Sequence, residues 1–182
     1  MAFGALRSLV AHLVWDQGVE GSNPFSPTIN LFMSKVFEIC IANKSGSGMV
    51  KIPSVDVVAK KGIINDRYFN DNNEPDIQIT FIESENVDYV NEKLKTNIPY
   101  IDFRRNIITK GIKLNELIGK ELLIGGVRIK GHRLCDPCKY LQDKLKQKNL
   151  FNNLAYLHKR GGLRCELITS GKISINDEIK II

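Results

Sequence analysis

The sequence lacks a long apolar run and has few cysteines. No stretch of its 182 residues approaches the roughly 18 apolar residues of a membrane-spanning helix, so we expect neither a span nor a membrane partner. Four cysteines are too few for a disulfide scaffold and suit a reducing compartment, which predicts a cytoplasmic protein. Hydrophobic residues at 43% and charged residues at 25% are ordinary values for one folded domain and exclude a disordered or collagen-like chain.

Familiar nucleotide and hydrolase motifs are absent as well. There is no G-x-G-x-x-G after a strand, no G-x-x-x-x-G-K-[ST] loop and no serine nucleophile elbow. The net charge of +6 favours an anionic ligand, although such a charge is more often a solvated surface. We therefore expect a small-molecule substrate and no nucleic-acid partner.

Residues 1–32 differ from the rest of the chain. They contain one arginine and a stretch at 18–27 that is rich in Gly, Asn, Pro and Ser. They do not form a signal peptide, because His12 interrupts the apolar stretch and no small-residue cleavage site follows. We predict an N-terminal extension that is either poorly ordered or the product of a wrongly assigned start at Met1, with Met33 as the true start and one domain at 33–182.

Short strands with few helices are predicted along 33–182. Alternating or β-branched stretches predict strands, and an amphipathic stretch at 85–95 predicts a helix capped by Ser84. Gly125-Gly126 predicts a hairpin. The predicted strands are 35–42, 49–59, 77–82, 101–109, 121–124, 127–133, 163–169 and 172–182. Their spacing predicts a mainly β (α+β), barrel-like fold with a few short helices.

The chemistry concentrates at Cys135-Asp136-Pro137-Cys138. Asp136 is a good helix N-cap, and Pro137 then takes the first helical position. Cys138 would lie in the first turn of that helix, where free backbone N–H groups and the macrodipole lower the pKa of a thiol. Cys138 is therefore the candidate nucleophile or soft-metal ligand, and Cys135 is its neighbour.

Four interpretations of the cysteine pair stay open. The two thiols could be buried and structural, or they could form a redox dithiol, although no βαβ unit precedes them. They could bind zinc together with His132, His158 or Cys165, although only one C-x-x-C is present. The fourth interpretation is one cysteine that binds a larger cofactor beside a cationic pocket.

Two arginine clusters could form such a pocket. Arg104 and Arg105 lie in the predicted strand 101–109, so that one of them should face any pocket. Arg160 and Arg164 flank a pair of glycines that would let backbone N–H groups approach an anion.

At this point the sequence resembles the MOSC domain, a family named for the C-terminal domain of molybdenum cofactor sulfurases, and in particular its small stand-alone bacterial members. The motifs occur in the family's order over 35–182. They are Ile41-Ala42, Gly62-Ile63-Ile64-Asn65-Asp66-Arg67-Tyr68, Thr80-Phe81-Ile82-Glu83, Arg104-Arg105-Asn106-Ile107-Ile108-Thr109-Lys110-Gly111-Ile112, Leu114-Asn115, Leu117-Ile118-Gly119-Lys120, Ile124-Gly125, Cys135-Asp136-Pro137-Cys138 and Arg160-Gly161-Gly162-Leu163-Arg164. One departure is Asn65, where the family usually has Gly; Asn tolerates a left-handed backbone best after Gly, which predicts that the turn is retained.

The resemblance implies a set of site residues. Cys138 corresponds to the cysteine that ligates molybdenum and is the implied catalytic and metal-binding residue. Arg104 is the closest match to the arginine that contacts the pterin phosphate of the molybdenum cofactor, and Arg105 is the second. The remaining implied cofactor-binding residues are Arg160, Arg164, Cys135, Asn106 and Asp66, of which the last two could instead order turns.

Two activities follow from the resemblance. In the first, the bound molybdenum cofactor reduces N-hydroxylated compounds to amines with electrons from a separate reductase, since four cysteines at these spacings cannot build an iron–sulfur cluster. In the second, Cys138 carries cofactor, or sulfur as a persulfide, to a receiving enzyme. The full sulfurases do this with a pyridoxal-phosphate domain, for which this chain has no room.

Overall fold

Residues 33–135, 141 and 158–182 are described by the structure, which is a computed structural model. They belong to a compact unit, Phe32–Ile182. The predicted extension 1–32 and the predicted helix with Asp136, Pro137 and Cys138 lie outside the described residues. No helix within the described ranges has both the length and the apolar composition needed to cross a membrane.

Strands dominate the described part of the chain. They are β1 (Lys35–Ile41), β2 (Val50–Ile52), β3 (Ser54–Val58), β4 (Gly62–Ile63), β5 (Ile79–Glu83), β6 (Ile107–Lys110), β7 (Glu121–Ile124), β8 (Val127–Leu134), β9 (Leu163–Leu167), β10 (Gly171–Ser174) and β11 (Ile179–Ile181). Among these residues an eight-stranded sheet has the order β11-β7-β8-β9-β5-β6-β1-β2, and a three-stranded sheet the order β10-β3-β4. The larger sheet curls into a half-barrel, which confirms the mainly β, barrel-like fold class.

The strand β5 runs parallel to β6 and antiparallel to β9. Phe81 of β5 is in register with Ile107 of β6 and with Leu163 of β9. The carboxyl ends of β5 and β6 therefore lie at the same edge as the start of β9. The opposite end of β5, at Thr80, lies beside the start of β6 and is in register with Arg164.

The helix α1 (Ser84–Leu94) directly follows β5. The predicted cap is wrong: Glu83 is at the N-cap position, and Ser84 lies inside the helix with its hydroxyl on the Glu85 carboxylate at 3.1 Å. The helix ends because Lys95 takes a left-handed conformation with φ 52°. Short 3-10 helices cover Pro75–Ile77, Tyr100–Phe103 and Leu114–Leu117.

Three predicted strands are interrupted in the structure. Pro53 divides 49–59 into β2 and β3, which join different sheets, because proline has no N–H to donate to a ladder. A turn with Asn176 at φ 72° divides 172–182 into β10 and β11. The prediction for 101–109 is wrong in its first half, which forms the 3-10 helix Tyr100–Phe103 before Arg104 takes φ 58°.

Two hydrophobic clusters cover the two faces of β5 and β6. Ile79, Phe81 and Ile107 belong to the larger cluster, which fills the half-barrel. Their neighbours Ile82 and Ile108 belong to a second, helix-side cluster. Its buried members are Cys40, Ile82, Val87, Val90, Ile98, Phe103, Ile108 and Leu141. Alternation of side chains along each strand therefore directs one set inward and the other toward α1.

Candidate functional site

Arg104 and Arg105 lie in the turn before β6 rather than within a strand. Arg104 adopts a left-handed conformation with φ 58°, so the strand alternation expected for this pair does not apply. The Nη1 of Arg104 donates to the carbonyl of Ser47 at 2.8 Å. The Nε of Arg105 donates to the carbonyl of Gly161 at 2.8 Å, and its Nη1 donates to the carbonyl of Phe103 at 3.2 Å. The two guanidinium groups are thus held by backbone carbonyls from separate parts of the chain.

Asn106 lies at the centre of a buried hydrogen-bond network. Its Oδ1 accepts from the backbone N–H of Thr80 at 3.2 Å and from the Thr80 hydroxyl at 2.8 Å. Its Nδ2 donates to the carbonyl of Cys40 at 3.3 Å and to Oδ2 of Asp66 at 3.2 Å. The side chain therefore joins β1, β5 and the turn that carries Asp66. Asn106 is buried and does not reach the surface.

Asp66 orders the turn that follows β4. Its carboxylate accepts from the backbone N–H groups of Ala42 at 3.1 Å and Tyr68 at 3.2 Å. Asn65, just before it, adopts φ 64°, so the prediction that asparagine keeps this turn is confirmed. Buried carboxylates need such partners because removing a charge from water is costly.

Arg67 is the residue in this network that the sequence analysis did not select. Its side chain is only 5% exposed, and its Nη1 pairs with Oδ2 of Asp66 at 3.3 Å. Its Nη2 donates to the carbonyl of Arg104 at 3.2 Å, which links the buried network to the turn before β6. The adjacent acid and base in Asp66-Arg67 were visible in the sequence, but their burial was not.

Arg164 stands next to this network on β9. It is in register with Thr80 of β5 and with Arg133 of β8. Its Nε is buried and has no hydrogen-bond partner among the residues that the structure describes. The neighbouring Arg133 is paired with Asp76. An unpaired buried donor on a cation is the feature of this region that calls for an anionic acceptor.

Cys135 packs against the glycine pair at the start of β9. Cys135 is 3% exposed, and its N–H donates to the carbonyl of Gly162 at 2.7 Å. A Cβ at Gly161 would overlap the carbonyl oxygen of Cys135, and a Cβ at Gly162 would overlap that of Phe81. The glycines thus permit close contact between segments of this chain, whereas the sequence suggested an approach by an anion. Gly161 contacts both Cys135 and Arg105.

The other described cysteines are buried thiols. Burial raises the pKa of Cys40 to about 12, with the Glu38 carboxylate adding to the rise. Burial likewise raises the pKa of Cys165 well above its ordinary value. The raised pKa disfavours the thiolate form of both residues, which argues against either as a nucleophile.

The zinc interpretation gains no support from the described residues. Within 33–135, 141 and 158–182 no group of three or more His, Cys, Asp and Glu side chains could hold a metal ion. His132 contacts Glu166 instead, with 2.9 Å between Nε2 and Oε2. Cys138, the metal ligand that the resemblance implies, lies outside the described residues, so its role stays a prediction.

Arg160 is directed toward α1. Its guanidinium lies over the ring of Tyr89 at 4.4 Å from the centroid. It lines a pocket of about 510 Å³ at the start of α1, together with Glu83, Lys113 and Lys159 among others. Two other predicted arginines lie elsewhere. Arg105 donates to the carbonyl of Gly161, and Arg164 lies on β9 in register with Thr80.

Comparison with known proteins agrees with the motifs. Residues 69–180 match the MOSC domain family. The structure is similar to the YUAD protein of Bacillus subtilis, with a TM-score of 0.72 at 16% identity over 82% of this chain and 95% of that one. It is also similar to YiiM of Geobacillus stearothermophilus, with a TM-score of 0.63 at 16% identity over 82% and 75% of the two chains. For YiiM of Escherichia coli the TM-score is 0.60 at 15% identity over 82% and 68%. No curated protein matches the sequence. At these identities the likeness shows the fold alone.

Proposed function

Because the chain belongs to the MOSC domain family, which is associated with the molybdenum cofactor, we propose that it binds this cofactor and reduces N-hydroxylated compounds to amines. Cys138 is the thiolate ligand of molybdenum in this proposal. A separate reductase supplies the electrons. The reduction of R–NHOH to R–NH₂ and water consumes two electrons and two protons.

The buried Nε of Arg164 is the observation that carries the proposal. This donor has no hydrogen-bond partner among the described residues, and an uncompensated buried donor costs about 1–3 kcal/mol, more on a charged group. A phosphate oxygen would satisfy it, because guanidinium groups match phosphate geometry. The residues around Arg164 therefore fit the anionic end of the cofactor.

In this proposal Arg104 and Arg105 bind the phosphate of the cofactor together with Arg164. Arg105 and Cys135 both contact Gly161. Cys138 follows Cys135 by three residues in the sequence. Arg67 holds the carbonyl of Arg104, so the buried network fixes the turn that carries both arginines. Asn106 and Asp66 act here as positioning residues, because their polar atoms are already hydrogen-bonded to the chain.

The chain and the cofactor have separate tasks in this scheme. The cofactor, when bound, supplies oxygen-atom transfer at molybdenum. The protein supplies a thiolate, cations for the phosphate and a fixed backbone around both. Arg160 is left out of the cofactor site here, because its guanidinium is directed toward Tyr89 of α1 and lines the separate pocket at the start of that helix.

Elemental analysis of the full chain tests the proposal. The protein is purified without oxygen from a host that makes the cofactor, and molybdenum is measured per chain. We expect near-stoichiometric molybdenum that is lost in Cys138→Ala and only reduced in Cys135→Ala. Arg164→Gln should lose cofactor, whereas the control Arg128→Gln, in an exposed pair with Glu121, should keep it. Zinc instead of molybdenum, lost equally from both cysteine variants, would contradict the proposal.

Turnover separates the enzyme from the carrier. With molybdenum bound and an artificial electron donor present, we expect reduction of an N-hydroxylated substrate that Cys138→Ala does not support. A persulfide on Cys138 detected by mass spectrometry, with no turnover, would instead assign the chain to sulfur or cofactor delivery.

A further inference from the structure

The pocket at the start of α1 is distinct from the surroundings of Arg164 on β9. The two lie at opposite ends of β5, with Thr80 at one end and Glu83 at the other. Thr80 and Glu83 are three positions apart in the strand, which corresponds to about 10 Å. The pocket has a volume of about 510 Å³, which is within the roughly 300–1,000 Å³ typical of small-molecule sites. A second pocket of about 390 Å³ adjoins it and shares Glu83, Asn86 and Lys113.

The cations of this pocket come from two separate segments. Lys113 precedes the 3-10 helix Leu114–Leu117, whereas Lys159 and Arg160 precede β9. The ring of Tyr89 holds the Arg160 guanidinium at 4.4 Å, which restricts its orientation without using its N–H donors. Those donors are suited to a bidentate contact with a carboxylate or a phosphate.

The walls of the pocket are fixed by hydrogen bonds. The Nδ2 of Asn115 donates to the carbonyl of Lys159 at 2.8 Å, which ties the two cation-bearing segments together. Lys159 itself adopts φ 57°, a conformation that costs a non-glycine residue about 1–2 kcal/mol.

Two carboxyl groups also face the pocket. Glu116 lies 3.9 Å from Lys113 in an exposed pair. Glu83 accepts the backbone N–H of Leu114 at 2.7 Å. Against these two carboxyl groups the lining sets three cations, Lys113, Lys159 and Arg160. The balance of the lining therefore favours an anion near Lys113, Lys159 and Arg160.

We propose that this pocket is a second ligand site, which binds a small organic molecule through an anionic end, a phosphate or a carboxylate. Arg160 makes the bidentate contact, Lys113 and Lys159 neutralise the charge, and the amide of Asn86 contacts the neutral part of the ligand. The proposal does not depend on the proposed function, because none of the residues it uses is assigned to the cofactor there.

Calorimetric titration of the full chain at low salt tests this site. The probes are phenyl phosphate, benzoate and neutral benzyl alcohol. We expect one or both anions to bind and benzyl alcohol not to bind at the same concentrations. The tighter of the two anions identifies the phosphate or the carboxylate as the ligand's end group. Equal binding of the neutral probe, or no binding of either anion at millimolar concentration, would overturn the proposal.

Charge variants locate the bound anion. We expect Arg160→Gln to weaken binding about tenfold, the loss of one bidentate charge-assisted contact. Lys113→Gln should weaken it at least threefold, and it cannot unfold the chain, because the Lys113 side chain is 84% exposed. The control Lys172→Gln removes the same charge from exposed β10 and should change affinity less than twofold. Weaker binding in Arg164→Gln without weaker binding in Lys113→Gln would place the anion near Arg164 and refute this site.

Discussion

At the scale of single residues, burial decides which polar groups serve the fold. The Asn106 and Asp66 side chains are hydrogen-bonded within the chain. Arg67 is almost fully buried, and its guanidinium pairs with the Asp66 carboxylate. Arg164 differs, because its buried Nε has no partner among the described residues. Residues of similar polarity in the same motifs thus divide into those that hold the turns and those that are available to a ligand.

Glu83→Gln is expected to stabilise the protein at neutral pH. Burial raises the pKa of Glu83, and Glu85 raises it further, whereas the N–H of Leu114 and the charges of Arg160 and Lys113 lower it. A raised pKa in the folded state contributes stability below the unfolded pKa, and that stability is lost as the pH rises through the folded value. The glutamine oxygen can still accept from Leu114.

Urea unfolding of both proteins at pH 7 and near pH 3.5 measures this difference. We expect the glutamine variant to be the more stable at pH 7 and the two proteins to converge at the lower pH, since the carboxyl is then neutral. Lower stability of the variant at pH 7 would mean that Arg160 and Lys113 more than compensate the buried charge.

At the scale of elements, the approach of β8 to β9 depends on small residues. Cys135, just after β8, lies against Gly161, and Phe81 of β5 lies against Gly162. Both glycines are buried, so side chains there would push β9 away from its neighbours β5 and β8. Gly161 also accepts a hydrogen bond from Arg105, so the position of that arginine depends on the same packing.

Gly161→Ala is expected to destabilise the fold. The new methyl group would overlap the carbonyl of Cys135, a backbone atom that cannot move alone, at a cost of about 1–3 kcal/mol or more. Gly48→Ala is the matched control, because a Cβ there meets no described atom within 4 Å. Thermal and urea unfolding should therefore separate the two variants. Equal stability of both would contradict close packing at Gly161.

At the scale of the whole molecule, the two ends of the described unit meet. The N–H of Val36 donates to the carbonyl of Asp177 at 2.9 Å, and the N–H of Ile179 donates to the carbonyl of Ser34 at 2.7 Å. These bonds connect β1 with the segment leading into β11. The segment before β11 is thereby held against β1, a closure between the first and last strands that leaves the sheet itself a half-barrel.

Ile179→Ala is expected to weaken this closure. Ile179 is 5% exposed and packs in the larger cluster, so the truncation should cost about 2–5 kcal/mol in the free energy of unfolding. Ile181, on the same strand, is 53% exposed, and Ile181→Ala should cost less than about 1 kcal/mol. Urea titration of the pair measures both values. A small loss at Ile179 would show that β11 contributes little to this closure.

Much of the fold could be predicted from the sequence because strand signals are local. The alternating pattern gave β1, β5, β7, β8 and β9 with small errors at their ends. The segment 101–109 was mispredicted because its apolar residues resemble a strand, whereas Arg104 adopts a left-handed turn that side-chain pattern does not encode.

The sequence by itself determined the family, through motifs in a fixed order, and the mainly β class, through the spacing of its strands. Only the tertiary structure decided which charged residues meet. Arg105 and Gly161 are 56 positions apart, and Asn106 and Asp66 are 40 apart, so strand pairing alone brings them together. It also directed Arg160 to Tyr89 and left Arg164 Nε without a described partner, because burial and register depend on contacts between distant segments.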